Sequence, residues 1–440
     1  MMKRLSEFGE TLEKLFSSGE FDAEKRWEEQ RHKIPSLNSV YNAYITIFQK
    51  PLVVQGFRTQ PLRGISVAVK DVFHVKGYPT TAGSKLLRNH VSEETALAVE
   101  KLLQNGAAVN GKTNLHEFAF GVSGINPHYG PCINPYDLSR VAGGSSGGSA
   151  VAVALGMCDV ALGTDTAGSV RIPASFCGVV GFKPSINSIS TKGVLPLSWS
   201  LDHVGIMARN VWETALVYTA LTKNINEDFD FRPQPLEGLK IGVPTNYFLD
   251  YLDRDVRENF EKTLRLLESR GAEVVDVFVS EVEKVVKCRT IIGFAEAAAY
   301  HLRLCRGRLD LYGDDVRQRI INGLSIPAAV YLNAMRARKK LTKSFRNLFN
   351  QIDVLALPTT IIPAHGLEDV EVEIDDKVFD VRSASLRNTE AFNLYGTPAI
   401  SLPIGFCGKG LPVGLQVVAD LGEDIKLLRT AYAVEKSLTA

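Results

Sequence analysis

The 440-residue sequence lacks the features that mark several large classes of protein. Its net charge is only +1, which gives no indication of binding to nucleic acid or to an anionic membrane. The longest run of apolar and small residues, 150–158, is far shorter than the roughly 20 residues that cross a bilayer. The N-terminal residues mix acids and bases and lack the apolar core of a signal peptide. We therefore expect a cytoplasmic protein that contacts neither membrane nor nucleic acid directly.

Cysteine is sparse, and the six cysteines form neither a Cys-x-x-Cys pair nor a dense framework. This pattern is typical of reduced thiols in a cytoplasmic protein. They are Cys132, Cys158, Cys177, Cys288, Cys305 and Cys407. Internal repeats and dividing linkers are also missing, so we expect a single domain over residues 1–440. Within it, residues 1–60 are predicted to form a helical N-terminal arm, with a helix broken at Pro35.

From residue 64 onward, segments typical of strands alternate with segments typical of helices. Ile65, Val67 and Val69 alternate along "GISVAVKDVF" as in a strand, and "EETALAVEKLLQNG" predicts a helix that ends at Gly106. Further strands are predicted at "LKIGVP", "AEVVDVFV", "VLALPTT" and "PAISLPIG", a hairpin at "VEVEIDDKVFDV" and a closing helix at "EDIKLLRTAYAVEKSL". The alternation predicts an α/β fold, in which helices cover a sheet.

Residues 106–113, "GAAVNGKT", match the phosphate-loop pattern G-x-x-x-x-G-K-[ST]. A phosphate loop follows a strand and precedes a helix. Here a helix precedes the segment, and "AAVN" inside it is typical of a strand. We interpret the segment as a helix-to-strand turn with Lys112 at its end, and not as a nucleotide site.

Residues 141–150, "VAGGSSGGSA", are consistent with a linker, a phosphate-binding nest or part of an active site. A second glycine-rich segment, "ALGTDTAGSVRIPAS", spans 161–175. One helix and one strand of similar length separate the two segments, so the chain returns to the level where it began. We therefore expect Ser145 and Ser169 to be able to lie side by side. Glycine at both places lets N–H groups approach and hold a developing oxyanion.

A serine nucleophile also needs a base. Lys70 closes an apolar strand, where burial would favour the neutral amine that accepts a proton. The same lysine could instead form a buried ion pair with Asp71 or another acid. His116, His128 and His203 offer an alternative base, although a structural role explains each more simply. The residues alone leave these alternatives open.

Three segments in order, "VAVKDVFHVKGYPTTAGS", "GGSSGGS" and "GTDTAGSVRIPAS", together resemble the amidase signature family. Further matches are "GKTNLHEFAFG", "GVVGFKPS", "SLDHVGIMAR" and "GTPAISLPIG", so the resemblance extends over residues 30–440. It implies the amidase signature fold, an α/β/α arrangement in which helices cover both faces of a large, mostly mixed central β-sheet. It also implies a hydrolase that acts on linear amide C–N bonds.

The resemblance further implies which residues form the site. The family's nucleophile corresponds to Ser169, its bridging serine beside a cis peptide to Ser145, and its lysine to Lys70. The oxyanion hole corresponds to the backbone N–H groups of Thr166, Ala167, Gly168 and Ser169, and the supporting residues are Ser149, Asp165 and Arg171. An acyl-enzyme would form on Ser169, with Ser145 as proton relay and Lys70 as base, and without metal or organic cofactor. Ala167 stands where the family usually has glycine, and alanine tolerates positive φ poorly.

Two activities fit this resemblance. One is a free-standing amidase with a small-molecule amide substrate, which could form a homodimer. The other is that of the glutaminase subunit of the glutamyl-tRNA(Gln) amidotransferase, which supplies ammonia from glutamine to its partner subunits. The glutaminase subunit has an acidic residue before "GTPAI" that binds the glutamine amine. Glu390 is the only acid in "LRNTEAFNLYGTPAI" and does not fall at the expected place, which favours the free-standing enzyme.

A third hypothesis, a catalytically silent scaffold on the same fold, is disfavoured by the intact set of Lys70, Ser145 and Ser169. The acyl and amine groups of the substrate stay open at this stage. Arg319, in "RQRIING", could anchor a carboxylate or serve the structure. His116 and His203 are assigned no role.

Overall fold

The structure is a computed structural model that describes residues 11–222 and 229–439. Its strands are β1 (Tyr44–Leu52), β2 (Ser66–Lys70), β3 (Ala108–Thr113), β4 (Val160–Asp165), β5 (Val180–Lys183), β6 (His203–Ala208), β7 (Lys240–Pro244), β8 (Glu273–Val277), β9 (Val354–Pro358), β10 (Glu371–Ile374), β11 (Lys377–Asp380), β12 (Ala399–Phe406) and β13 (Pro412–Val418).

Its α-helices are α1 (Leu12–Ser18), α2 (Ala23–Tyr41), α3 (Leu97–Gln104), α4 (Gly147–Ala154), α5 (Arg171–Cys177), α6 (Val211–Thr222), α7 (Arg254–Ser269), α8 (Val282–Cys305), α9 (Asp314–Leu324), α10 (Ala328–Arg346), α11 (Val381–Leu386), α12 (Ala391–Tyr395) and α13 (Asp424–Thr439). Within the described ranges, no helix is both long and apolar enough to cross a membrane. All six cysteines are buried free thiols.

One mixed sheet dominates the described chain. Its eleven strands lie in the order β1-β3-β2-β4-β6-β5-β12-β13-β9-β7-β8, while β10 and β11 form a separate hairpin. β2 runs parallel to both β3 and β4, whereas β6 runs antiparallel to β4. Near the opposite edge of the sheet from β1, β7 runs parallel to β8 and β9. The predicted α/β fold is confirmed.

Helices cover both faces of this sheet. Val67 and Val69 pack in a hydrophobic cluster with residues of α3, α6, α7 and α13, whereas Ala68 packs in another with residues of α4 and α5. Successive side chains of a strand point to opposite faces, so the two clusters lie on the two sides of the sheet. All of β2 is buried, as expected of a parallel strand between two layers of helices.

The predicted helical arm over residues 1–60 is wrong for residues 44–52. Residues 1–10 lie outside the described ranges, and α1 and α2 are helical as expected. The segment "YITIFQKPL", however, forms β1, which pairs antiparallel with β3 at the edge of the sheet. Its aromatic and β-branched side chains favour an extended chain, and β3 supplies the backbone partners.

The predicted break at Pro35 is also wrong, because α2 continues through this residue. Proline inside a helix removes one backbone hydrogen bond and crowds the preceding turn. Its neighbour Ile34 is only 3% exposed and packs in the cluster that contains Tyr44 and Ala150. Apolar packing therefore offsets the local cost of the proline.

Residues 106–113 do not form a phosphate loop. Gly106, with φ 87°, makes the predicted turn, and the chain is then extended in β3. At Gly111 a Cβ would lie 2.6 Å from the backbone oxygen of Thr46, so this glycine lets β1 pack against β3. The Nζ of Lys112 is buried and lies 2.7 Å from Oδ1 of Asp71. Within the apparent motif, Gly111 therefore serves strand packing and Lys112 forms a buried ion pair.

Candidate active site

The two glycine-rich loops meet at the carboxyl ends of parallel strands. Lys70 is the last residue of β2 and Asp165 the last of β4, so both lie at the same edge of the sheet. Ser145 precedes α4, and Ser169 lies between β4 and α5. The N–H of Ser146 donates to the backbone oxygen of Ser169 at 3.2 Å. The predicted approach of the two serine loops is confirmed.

Lys70 contacts the first of these loops directly. Its Nζ donates to Oγ of Ser145 at 2.7 Å and to Oγ1 of Thr164 at 2.8 Å. The Gly144–Ser145 peptide is cis, as the resemblance implied. Burial lowers the pKa of Lys70 to about 7, against the opposing charges of Asp202 and Asp165. At neutral pH a large share of the lysine is therefore the neutral amine.

The neighbouring acid Asp71 has partners other than Lys70. The side chain of Asp71 pairs with Lys112 and accepts hydrogen bonds from Thr81. Successive residues of an extended chain point to opposite faces, which separates Asp71 from Lys70. The alternative of a buried Lys70–Asp71 ion pair is wrong.

Residues 166–169 form a loop with free backbone donors. Across the described part of the chain, the N–H groups of Thr166, Ala167 and Ser169 have no acceptor. Gly168 differs, because its N–H donates to Oδ1 of Asp165 at 2.8 Å. The structure therefore contradicts the expectation that Gly168 is an oxyanion donor, and the physical reason is that the carboxylate already occupies its N–H.

Alanine at position 167, where the family usually has glycine, causes no backbone strain. Positive φ occurs at Gly168, with φ 128°, and not at Ala167. A Cβ at Gly168 would overlap the side chain of Thr389. The loop thus needs glycine at one position only, and Ala167 is among the residues that line the adjoining cleft.

A buried ion pair holds the shape of this loop. Asp165 accepts from Nε of Arg171 at 3.0 Å and from Nη2 at 2.9 Å. Arg171 Nη1 also donates to the backbone oxygen of Thr389 at 2.9 Å and to Oε1 of Gln416 at 2.6 Å. Burial alone would raise the pKa of Asp165, but the charge and hydrogen bonds of Arg171 outweigh it and hold that pKa below its usual range. The ionised carboxylate can therefore anchor the loop's N–H groups.

Ser149 lies one turn into α4 and links this helix to the sheet. Its Oγ lies 2.8 Å from Oγ1 of Thr113 and donates to the backbone oxygen of Leu162 at 3.1 Å. These contacts connect α4 to β3 and β4. They are consistent with the supporting role that the resemblance implied.

Sequence reasoning missed Asp202, a residue of "SLDHVGIMAR" whose negative charge acts on Lys70. Its carboxylate accepts from Oγ1 of Thr166 at 2.6 Å and from the N–H groups of Leu197 and Ser198. Burial raises the pKa of Asp202 to about 6, against these hydrogen bonds. The one signal in the sequence was an acid inside a segment that matched the family.

The three histidines considered as bases are held by other partners. His116 Nε2 lies 2.8 Å from Oδ2 of Asp315, and His128 Nε2 lies 3.0 Å from Oε1 of Glu117. His203 Nδ1 lies 2.7 Å from a backbone oxygen. None of the three rings lines the cleft beside Ser169. Their contacts favour structural roles.

The cleft beside Ser169 has a volume of about 350 Å³, including its opening to solvent. Its walls combine apolar side chains with two arginines. They include Phe120, Val122, Leu197, Leu386, Arg289 and Arg382.

Two other residues that sequence analysis considered for substrate binding are occupied elsewhere. Glu390 forms a buried ion pair with Arg289. Arg319 pairs with Asp315 at 2.7 Å and also donates to the backbone oxygen of Phe120. Both therefore serve the walls of the cleft.

Comparison with known proteins gives consistent matches over nearly the whole chain. The family model described as Amidase matches residues 28–428. A glutamyl-tRNA(Gln) amidotransferase subunit from Geobacter sp. (strain M21) is 36% identical over 449 residues, which cover 92% of this chain and 91% of that protein.

Solved structures agree with this match. One described as an amidase has a TM-score of 0.88 and 35% identity, and the match covers 96% of this chain and 98% of that chain. The corresponding glutamyl-tRNA(Gln) amidotransferase subunit from Thermotoga maritima has a TM-score of 0.82 and 33% identity, over 98% of this chain and 95% of that chain.

Proposed function

Because this chain belongs to the amidase family, we propose that it hydrolyses carboxamides through an acyl-enzyme on Ser169. The observation that carries this proposal is the buried contact of Lys70 with Ser145, beside a loop that presents Ser169 to the cleft. We also propose that residues 1–440 form one amidase signature domain, which is supported by a sheet that incorporates both β1 and β13.

In the first half of the reaction, neutral Lys70 acts as the base. Ser145 passes the proton of Ser169 Oγ to Nζ of Lys70 while Oγ forms a bond to the amide carbon. The N–H groups of Thr166, Ala167 and Ser169 stabilise the oxyanion. Each such donor contributes on the order of 3 kcal/mol. The proton then returns through Ser145 to the leaving nitrogen, the C–N bond breaks, and ammonia or an amine departs.

In the second half, water replaces the departed amine. It gives a proton through Ser145 to Lys70 and attacks the ester carbon. The C–Oγ bond breaks, the proton returns to Ser169, and the carboxylic acid is released. This cycle needs no metal or organic cofactor, and atoms and charges balance between the amide and water on one side and the acid and amine on the other.

The relatives described as amidotransferase subunits favour a second candidate, release of ammonia from glutamine for partner subunits. The glutamine ammonium would need an acidic partner in the cleft. No carboxylate is among the described residues that line it, and Glu390 is already paired with Arg289. The charge of the cleft therefore supports the free-standing amidase.

A fluorophosphonate probe tests the proposed nucleophile without knowledge of the substrate, because it labels activated serines. We expect mass spectrometry to locate the label on Ser169, with labelling lost in Ser169→Ala and Lys70→Ala. Labelling of another serine, with Ser169 unmodified, would contradict the proposal. Ammonia release from glutamine and from pentanamide, a neutral amide with the same five-carbon chain, separates the two candidates. Turnover of glutamine alone would favour the amidotransferase candidate.

A further inference from the structure

Two arginines in the wall of the cleft have donors without acceptors. The guanidinium of Arg382, on α11, is partly buried and makes neither a hydrogen bond nor an ion pair with any residue of the described chain. Arg289, on α8, is only 5% exposed, and its Nε has no acceptor among the described residues. Donors that are largely removed from water are normally paired, so the unpaired guanidinium of Arg382 suits an acceptor that a bound ligand would supply.

Two of the three arginines near this wall form ion pairs. Arg289 is paired with Glu390 and Arg319 with Asp315. Arg382 is the third guanidinium of the group. The negative charges of Glu390 and Asp380 favour its protonated form, but neither forms an ion pair with it. Burial, together with the positive charges of Arg319 and Arg289, lowers its pKa to about 9, so it remains protonated at neutral pH. One guanidinium in the cleft that Ser169 lines therefore has no ion-pair partner among the described residues.

We propose that Arg382 binds a carboxylate of the substrate, so that this enzyme acts on amides whose acyl group ends in an acid. The inference rests on the proposed function, because it assumes that Ser169 attacks from this cleft. A guanidinium presents a planar pair of donors that matches a carboxylate, and desolvation in the cleft strengthens the contact.

The rest of α11 fits such a substrate. Leu386 lies four residues after Arg382 on the same helix, and both line the cleft. Residues four apart share one face of a helix. The helix thus presents an apolar side chain for the methylene groups of an acyl chain and a cation for its acid end. This assigns to Arg382 the carboxylate contact that the sequence had suggested for Arg319.

Three five-carbon primary amides test the proposal: glutaramate, which carries a carboxylate, pentanamide, which is neutral, and glutamine, which adds an ammonium to glutaramate. For the wild-type enzyme we expect kcat/KM for glutaramate to exceed that for pentanamide by about tenfold or more. It should also exceed that for glutamine, because no acid among the described residues lines the cleft. Arg382→Gln should reduce the glutaramate-to-pentanamide ratio to about one, and Arg382→Lys should keep part of it.

Arg317→Gln is the matched control, because Arg317 lies on α9 and pairs with the exposed Asp314. It removes the same charge and should keep the wild-type ratio. A wild-type ratio near one, or an unchanged ratio in Arg382→Gln, would overturn the proposal. If Ser169 is still labelled by the fluorophosphonate in that case, the proposed function stands and only the substrate class is wrong.

Binding of glutarate provides a measurement independent of turnover. We expect millimolar glutarate to raise the thermal unfolding temperature of the wild-type chain and of Arg317→Gln, but not of Arg382→Gln. This comparison also decides the case in which none of the three amides is hydrolysed. Absence of glutarate binding by the wild-type chain would then overturn the proposal, whereas binding with an unlabelled Ser169 would contradict the mechanism alone.

Discussion

The Nζ of Lys70 and the Oγ of Ser145 lie 2.7 Å apart although 75 residues separate them in the sequence. Lys70 is held by β2, between β3 and β4, and Ser145 by the loop that enters α4. Both side chains are fully buried. Water therefore does not compete for this contact, and the state of the lysine proton depends on the surrounding protein.

The proposed base predicts a pH dependence. Burial lowers the pKa of Lys70 to about 7, so the active neutral form increases as pH rises through 7. We expect kcat/KM to rise about tenfold per unit below pH 7 and to level off above about pH 8. Lys70→Ala and Lys70→Arg should both be inactive, because arginine keeps its proton. Substantial turnover by a folded Lys70→Arg enzyme would assign the base elsewhere.

The proposed nucleophile predicts that Ser169→Ala lowers kcat by at least about 10³-fold, because the acyl-enzyme cannot form. Ser175→Ala is the matched control. Ser175 lies on α5, six residues further along the chain, and its buried Oγ has no partner in the described residues. It should keep wild-type turnover. Circular dichroism and thermal unfolding check that both variants fold, and loss of activity in both would point to a structural cause.

The Asp165–Arg171 pair predicts a large effect on stability. Arg171→Met should lower the free energy of unfolding by about 3–5 kcal/mol, since it leaves a buried carboxylate unpaired. Arg346→Met, which breaks the more exposed pair with Asp420, should cost less than about 1 kcal/mol. Urea unfolding measures both. Equal costs would contradict the structural role of the buried pair.

The same Asp165–Arg171 pair predicts that the free energy of unfolding decreases as the pH is lowered. The pKa of Asp165 is depressed in the folded state. Its contribution to stability is therefore present above the unfolded-state pKa of about 3.9 and is lost as pH falls through the lower folded-state value. Urea unfolding of the wild-type chain between pH 6 and pH 3, compared with Asp165→Asn, measures this contribution. A wild-type chain and variant that lose stability in parallel would contradict it.

The Lys112–Asp71 pair predicts the absence of a nucleotide site in the apparent phosphate loop. Lys112→Ala should destabilise the fold by about 3 kcal/mol, because Asp71 loses its buried counter-charge. The double variant Asp71→Asn with Lys112→Met should recover part of this loss. ATP should not shift thermal unfolding, and turnover should survive exhaustive chelation. Saturable ATP binding that Lys112→Ala abolishes would restore the nucleotide hypothesis.

Much of the fold and site was predictable because the signals are local. The alternation of Ile65, Val67 and Val69 identified the strand that carries Lys70. Glycine and serine in two segments around a helix and a strand identified the loops of Ser145 and Ser169. The helix before Gly106 excluded the phosphate loop. Each of these signals depends on side-chain spacing along a short piece of chain, which the sequence states directly.

Tertiary structure decided what depends on partners distant in sequence. Residues 44–52 became a strand because β3 supplies their hydrogen bonds, and α2 continued through Pro35 because Ile34 packs against the core. The N–H of Gly168 donates to the carboxylate of Asp165 and is therefore not available to a ligand in the cleft. Arg382 forms no ion pair within the described part of the chain, whereas Arg319 pairs with Asp315. The sequence shows which polar and charged groups are present. Whether a buried donor or charge is paired depends on which distant segments pack around it.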